Sequence, residues 1–307
     1  MKKTIIYLLA ATIMLSTLTA CEGSEKEPGK ESETKEEAAT EKENPITDFS
    51  YITLDDGTLR VIYNGKDSSV VFPSEINGVK VTSISGIGGE GIYTVESVTI
   101  PETVTTIVRA AFKDCTSLSE VNLPDSLVRI ESEAFRNCTN LKHIYLPPNC
   151  LNEAGDDIFT HSGLETVELA EGIEVLPWQI FYYTNLKEIT MPSTLKEIGP
   201  SAFRSCKNLE KVILNEGLRV IDSSFSDCPK LTEIVIPSTV EELEETSFSE
   251  SMNLKKVKFE GDAPKNFYDD FQRVVFKDIL PQFTVYYHEG AQGFTSPEWY
   301  GYKTEIW

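Results

Sequence analysis

The stretch AFKDCTSLSEVNLPDSLVRIESEAFRNCTNL, residues 111–141, contains its own copy: AFKDCTSL at 111–118 returns as AFRNCTNL at 134–141. A third version, AFRSCKNL, stands at 202–209. A catalytic motif is normally written once, so repetition at this spacing calls for an architectural reading. Periods of this size are the mark of a solenoid, in which each coil buries its apolar side against its neighbours.

Aligned on leucine, L-x-x-V-x-L or a close variant occurs eight times, starting at Val95, Leu118, Leu141, Leu164, Leu186, Leu209, Leu231 and Leu254, with steps of 22 or 23. The unit is close to φxφPxxφxxIxxxAFxxCxxLxx. Its φ-x-φ alternation (Val121 and Leu123, Ile189 and Met191, Ile234 and Ile236) predicts a short strand with one buried side. Pro124, Pro147, Pro192 and Pro237 end the strand, because proline brings no ladder donor. One phenylalanine per coil forms a spine: Phe112, Phe135, Phe159, Phe181, Phe203, Phe225 and Phe248. Three residues beyond each lie Cys115, Cys138, Ser162, Thr184, Cys206, Cys228 and Ser251, a slot that asks for a small, partly polar side chain.

The L-x-x-V-x-L-P strand together with AFxxCxxL resembles the BspA-type leucine-rich repeat of bacterial surface proteins, over roughly Val81 to Phe259. The closing FTVYYHEGAQGFTSPEWYGYKTEIW, residues 283–307, is similar to a terminal segment often found in that family. The resemblance implies an α/β-type repeat solenoid, mostly β, with one short strand per coil. It also implies adhesion to proteins of a host or a neighbouring cell. Three departures stand out. Gly88 and Gly89 occupy the place of Ala-Phe, Cys150 replaces an aliphatic residue, and the coil from Ile144 carries an insertion before Phe159.

The flanks divide the chain further. Lys2 and Lys3 precede an apolar run from Thr4 to Leu18 and then LTAC at 18–21, a secretory leader pattern. A cysteine directly after the small residues resembles the bacterial lipobox, which implies cleavage after residue 20 and acylation of Cys21. A plain secretory signal or a membrane anchor would share the apolar run, although it is short for a span. Residues 22–45 are charged and nearly free of apolar side chains, so 21–45 is expected to be a disordered acidic tether. Residues 46–80, with DDG and NG turns between alternating segments, predict a β-hairpin cap; 81–259 are the repeats and 260–307 a C-terminal cap. There Trp299, Tyr300, Tyr302 and Trp307 are expected to seal the last coil.

A formal charge of −21 argues against nucleic acid as a partner. No HExxH, GxSxG or phosphate loop is present. The three histidines, His143, His161 and His288, are scattered, and the paired aspartates at 55, 156 and 269 lack calcium-loop spacing. No catalytic residue, metal site or cofactor is therefore expected. Neighbouring coils place Cys115 beside Cys138 and Cys206 beside Cys228, close enough for disulfides. Ser and Thr in the same slot favour buried thiols instead.

Function is then expected on the surface. In the second half, the outward strand positions include Lys211, Ile213, Glu233, Val235, Lys256 and Lys258, an apolar and basic patch suited to an extracellular protein partner. Trp178, Tyr182 and Tyr183 on the turn side form an alternative, carbohydrate-binding site. The chain is read as a lipid-anchored protein on the extracytoplasmic face of a bacterial membrane.

Overall fold

The computed structural model describes residues 43–265, 275–276, 278–279 and 282–307. The leader, Cys21 and nearly all of the acidic segment lie outside the described residues.

The strands of the repeat stand where the φ-x-φ segments place them. Parallel pairs link Ser97–Thr99 to Glu120–Asn122, His143–Leu146 to Thr166–Leu169, Glu188–Thr190 to Lys211–Ile213, and Glu233–Ile236 to Lys256–Phe259. The xxI segments build a second parallel ladder across the coil, running through Val175–Leu176, Glu197–Ile198, Val220–Ile221 and Glu242–Leu243. Neighbours in both ladders are one coil apart, so each coil touches only the next and the previous one. The chain is thus a mostly-β solenoid with short 3-10 turns at Ile46–Asp48 and Gly89–Tyr93.

The phenylalanine spine is a continuous stack. Ring centroids from Phe112 to Phe248 are 5.1–5.8 Å apart, and no pair is tilted by more than 26°. The column runs on at both ends: Phe72 meets Phe112 edge-on in the coil where glycines replace Ala-Phe, and Phe276 stacks on Phe248. Each spine residue is flanked two positions before and two after by left-handed backbone, as at Ala110 and Asp114 around Phe112 and at Ser201 and Ser205 around Phe203. This pair of bends turns the chain around the ring.

The Cys slot has a hydrogen-bond explanation. Cys138, Cys206, Cys228 and Ser251 each donate to the carbonyl of the phenylalanine one coil earlier, at 3.1, 3.2, 3.2 and 2.8 Å. A short side chain with one donor is what a buried backbone carbonyl requires there. The five cysteines of the described residues are free and buried, so neither disulfide forms.

Two features depart from the sequence reading. Of the N-terminal turns, DDG makes a hairpin, joining Phe49–Thr53 to Leu59–Tyr63, and Asn77-Gly78 makes a second, short one between Glu75–Ile76 and Val79–Ile87, but the NG at 64–65 makes none. Beyond the NG turn, Ser69–Val71 is already a parallel partner of Ser97–Thr99, and Leu59–Tyr63 is parallel to Val79–Ile87. The ladders therefore begin ahead of residue 81. At the other end, Thr284–Tyr287 and Tyr302–Ile306 extend the strand ladder in parallel. Trp299 is buried against Phe259 and Phe294, and Tyr302 packs on Phe276. Tyr300 and Trp307, expected to help seal that end, are exposed.

The insertion coil behaves as its sequence suggests. The second ladder has no strand between Arg129–Ile130 and Val175–Leu176. Gly155 holds the connection instead, donating to the Ile130 carbonyl at 2.8 Å. A Cβ on Gly155 would lie 2.0 Å from the Ser132 nitrogen, so the contact needs glycine.

Candidate functional site

The outward positions of the C-terminal coils form two rows along the strand ladder. The first contains Glu188, Lys211, Glu233 and Lys256, with Glu188 beside Lys211 and Glu233 beside Lys256 in register. The second contains Thr190, Ile213, Val235, Lys258 and Tyr286. All six residues of the expected protein-binding patch therefore share one face. Its charge differs from expectation. Glu233 accepts Lys258 at 2.7 Å and lies 3.9 Å from Lys256, so both lysines are neutralised locally. Alternating charges on adjacent strands stabilise the face rather than build a cationic field. What stays open is apolar: Ile213 is 43% exposed, with half-buried Val235 next in the row.

Lys258 also reaches Trp307, a contact that strand alternation does not report. Its ammonium is 4.8 Å from the Trp307 ring centre, and His288 stacks on the same ring at 4.7 Å. His288 Nε2 lies 2.9 Å from Glu260.

Next to this face the strand ladder opens. Thr166–Leu169 and Glu188–Thr190 belong to separate sheets, and an open groove of about 520 Å³ lies over the junction. Glu168, Glu171, Glu188, Thr190 and Lys211 are among its lining residues. Lys211 has no ion pair among the described residues, and it stands where groove and apolar row meet. The coil step here is 22, from Leu164 to Leu186, as it is from Leu209 to Leu231, where Lys211–Ile213 and Glu233–Ile236 also belong to separate sheets.

A second local device holds the coils in phase. Glu171 accepts the Ser193 N–H and hydroxyl at 3.0 and 2.8 Å, while Thr194 accepts from the Gly172 N–H and donates to the Ile173 carbonyl, both at 2.9 Å. Glu216, Gly217, Ser238 and Thr239 repeat this arrangement two coils on. The alternation of Glu-Gly with Pro-Ser-Thr is visible in the sequence, but its reason is a contact between coils.

On the turn side, Tyr182 and Tyr183 come together with His161. Tyr183 stacks on His161 at 4.8 Å and 23°, and Tyr182 stands edge-on to Tyr183 at 4.6 Å. Trp178 is 46% exposed but makes no ring contact with them, because it precedes Phe181 while the tyrosines follow it. The grouping expected from sequence thus loses Trp178 and gains His161.

Among the described residues no cluster of His, Cys, Asp or Glu is arranged to hold a metal ion, and no helix is long and apolar enough to cross a membrane. Burial pushes the thiols of Cys115, Cys150 and Cys206 up to about 12, the opposite of an activated nucleophile. Burial lowers His161 below the ordinary imidazole range, with the Arg136 charge adding to the effect.

The repeat corresponds to a known family. The sequence model of the BspA type leucine rich repeat region matches residues 89–210 and 174–277, in six copies. A leucine-rich repeat protein of T. pallidum is similar at 29% identity, over 71% of this chain and 86% of that one, with a TM-score of 0.46. The pneumococcal vaccine antigen PcpA is similar at 21% identity, over 78% and 79% of the two chains, with a TM-score of 0.45. A leucine-rich cell surface protein of Faecalibacterium prausnitzii A2-165 is similar at 17% identity, over 80% and 94%, with a TM-score of 0.36. No curated protein matches. With the family match covering more than half of its length, and with the strand, spine and slot of each coil accounted for, the chain belongs to the BspA-type leucine-rich repeat family.

Proposed function

We propose that this protein is a non-enzymatic surface lipoprotein, anchored through Cys21, that binds a protein of a host or neighbouring cell through the strand face of its C-terminal coils. Repeat proteins of this bacterial surface type are in general interaction scaffolds. The observation that carries the reading is Ile213. It is a large aliphatic side chain exposed in line with Val235, beside the groove and Lys211, which has no ion pair among the described residues. An apolar centre bordered by charges is the composition of a binding hot spot with a polar rim. The lysine–glutamate pairs around it fix the register a partner would meet.

The test is capture of immobilised extracellular matrix proteins by wild-type protein and by the Lys211→Glu/Ile213→Glu double variant. Both side chains are exposed, so the variant is expected to fold and to lose capture. Capture of none of them, or capture indifferent to the double change, would overturn the strand-face reading. Membrane fractionation of a Cys21→Ala variant tests the anchor independently: the protein is expected to leave the membrane fraction.

A further inference from the structure

The residue two places after each spine phenylalanine adopts left-handed backbone, with φ between 56° and 63° from Asp114 to Glu250. Asp, Asn and His are enriched in this region, while a bulky side chain such as tyrosine is unfavourable there. Most coils respect that preference, and their side chains link coil to coil. Asn137 donates to Asp114 at 2.6 Å, and Ser205 donates to Asp227 at 2.7 Å. In the middle of the row two successive coils carry rings, His161 and Tyr183, of which the tyrosine departs from the preference. Tyr183 is 42% exposed, so its strain is not offset by entry into the core.

The rings have a defined arrangement. His161 and Tyr183 face each other across one coil step, so one face of Tyr183 is covered. The centroid separations of 4.8, 4.6 and 6.1 Å place Tyr182 at roughly a right angle to His161 as seen from Tyr183. Tyr182 therefore walls the side of the ring, and Tyr183 keeps 42% of its surface exposed. The next residue in the row is Ser205, small and buried, too short to cover a phenol ring. Beyond it stands Asp227, ion-paired with Lys207. Tyr183 thus stands beside a polar step whose accessible groups are the Asp227 carboxylate and the Lys207 ammonium, the Ser205 hydroxyl being buried in its bond to Asp227.

From this geometry we infer a carbohydrate-binding site at Tyr183, independent of the strand face. The apolar C–H face of a pyranose ring lies on the exposed surface of Tyr183, against Tyr182, with its hydroxyls toward the polar step.

Saturation-transfer NMR and calorimetry with cellohexaose, maltohexaose and chitohexaose test the inference. Transfer to the ring C–H protons of at least one saccharide is expected, with an affinity unchanged between low and high salt. Tyr183→Asn should weaken it about tenfold or more. The same variant should melt at or above the wild-type temperature, since asparagine suits left-handed backbone, and this separates lost binding from lost folding. Trp178→Ala and Lys211→Glu/Ile213→Glu should leave saccharide binding unchanged, so this site and the strand face succeed or fail separately. No transfer to any of the saccharides, or binding that survives Tyr183→Asn, overturns the proposal. Binding of a proline-rich peptide without any saccharide overturns it as well.

Discussion

Truncating Phe203 to alanine removes one ring from the middle of the spine. The side chain is fully buried, with Phe181 at 5.5 Å on one side and Phe225 at 5.2 Å, within 1° of parallel, on the other. Burial of a phenylalanine contributes about 1.5–3 kcal/mol. Each ring pair adds about 0.5–1.5 kcal/mol. Together these give about 2.5–6 kcal/mol, a span that brackets the roughly 3–5 kcal/mol typical of such a truncation in a closed core. Phe203→Leu keeps most of the buried area and loses mainly the two ring pairs, so it should cost about 1–3 kcal/mol. Urea unfolding followed by far-UV circular dichroism reads both variants. The alanine protein is expected either to shift its midpoint at constant slope or to split into two transitions, because a coil that no longer couples to its neighbours divides the array. A loss below about 1 kcal/mol for alanine would refute the account of the spine. Leucine as damaging as alanine would refute the part assigned to stacking.

Other consequences are as concrete. None of the five buried cysteines should react with iodoacetamide in the native protein, and all five should react after denaturation. Because folding raises the thiols of Cys115, Cys150 and Cys206 from 9.0 to about 12, their contribution is complete below the lower value and lost as pH rises toward the upper, so thermal stability should fall across that window. Glu133 shifts the other way. Hydrogen bonds first from Lys113 and then from Arg109 lower it from 4.5 to about 2, so its contribution holds above 4.5 and fades as pH falls toward the lower value. Glu133→Gln should flatten that acid limb in a series of melting curves. Thr194→Val leaves the Gly172 N–H without its partner and should cost about 1–3 kcal/mol in urea unfolding.

The coil itself was legible because its determinants are local and repeated. Strand, proline stop, spine and small-residue slot each return at fixed offsets, so one physical explanation covers every copy. The two end coils were only partly legible for the same reason: Thr284–Tyr287 reads as a strand, but its place in the ladder does not. Ser69–Val71 and Thr284–Tyr287 join the ladder without an AFxxC segment of the expected form, and Val275-Phe276 stands where the pattern wants Ala-Phe. The candidate surfaces were half legible. Alternation identifies which strand residues point outward, so Ile213 and Val235 could be named. It does not tell which way a long side chain leans, and Lys256 and Lys258 lean on Glu233. The aromatic site depends on backbone handedness at Tyr183, which no hydrophobic pattern reports; the aligned appearance of Asp114, Asn137 and Asp227 in its slot was the available clue.

Since every coil is bonded to its two neighbours alone, a mechanical load applied at one end is not shared along the array. It bears on one set of ladder bonds at a time, as in a zipper. Glu188 meets Lys211 and Val175 meets Glu197, so each release frees one coil of 23 or 22 residues. That is about 75–80 Å of extended chain per step. For a molecule read as held to a membrane at one end and to a partner at the other, the coils are units of slack, paid out singly while the remainder of the spine stays stacked.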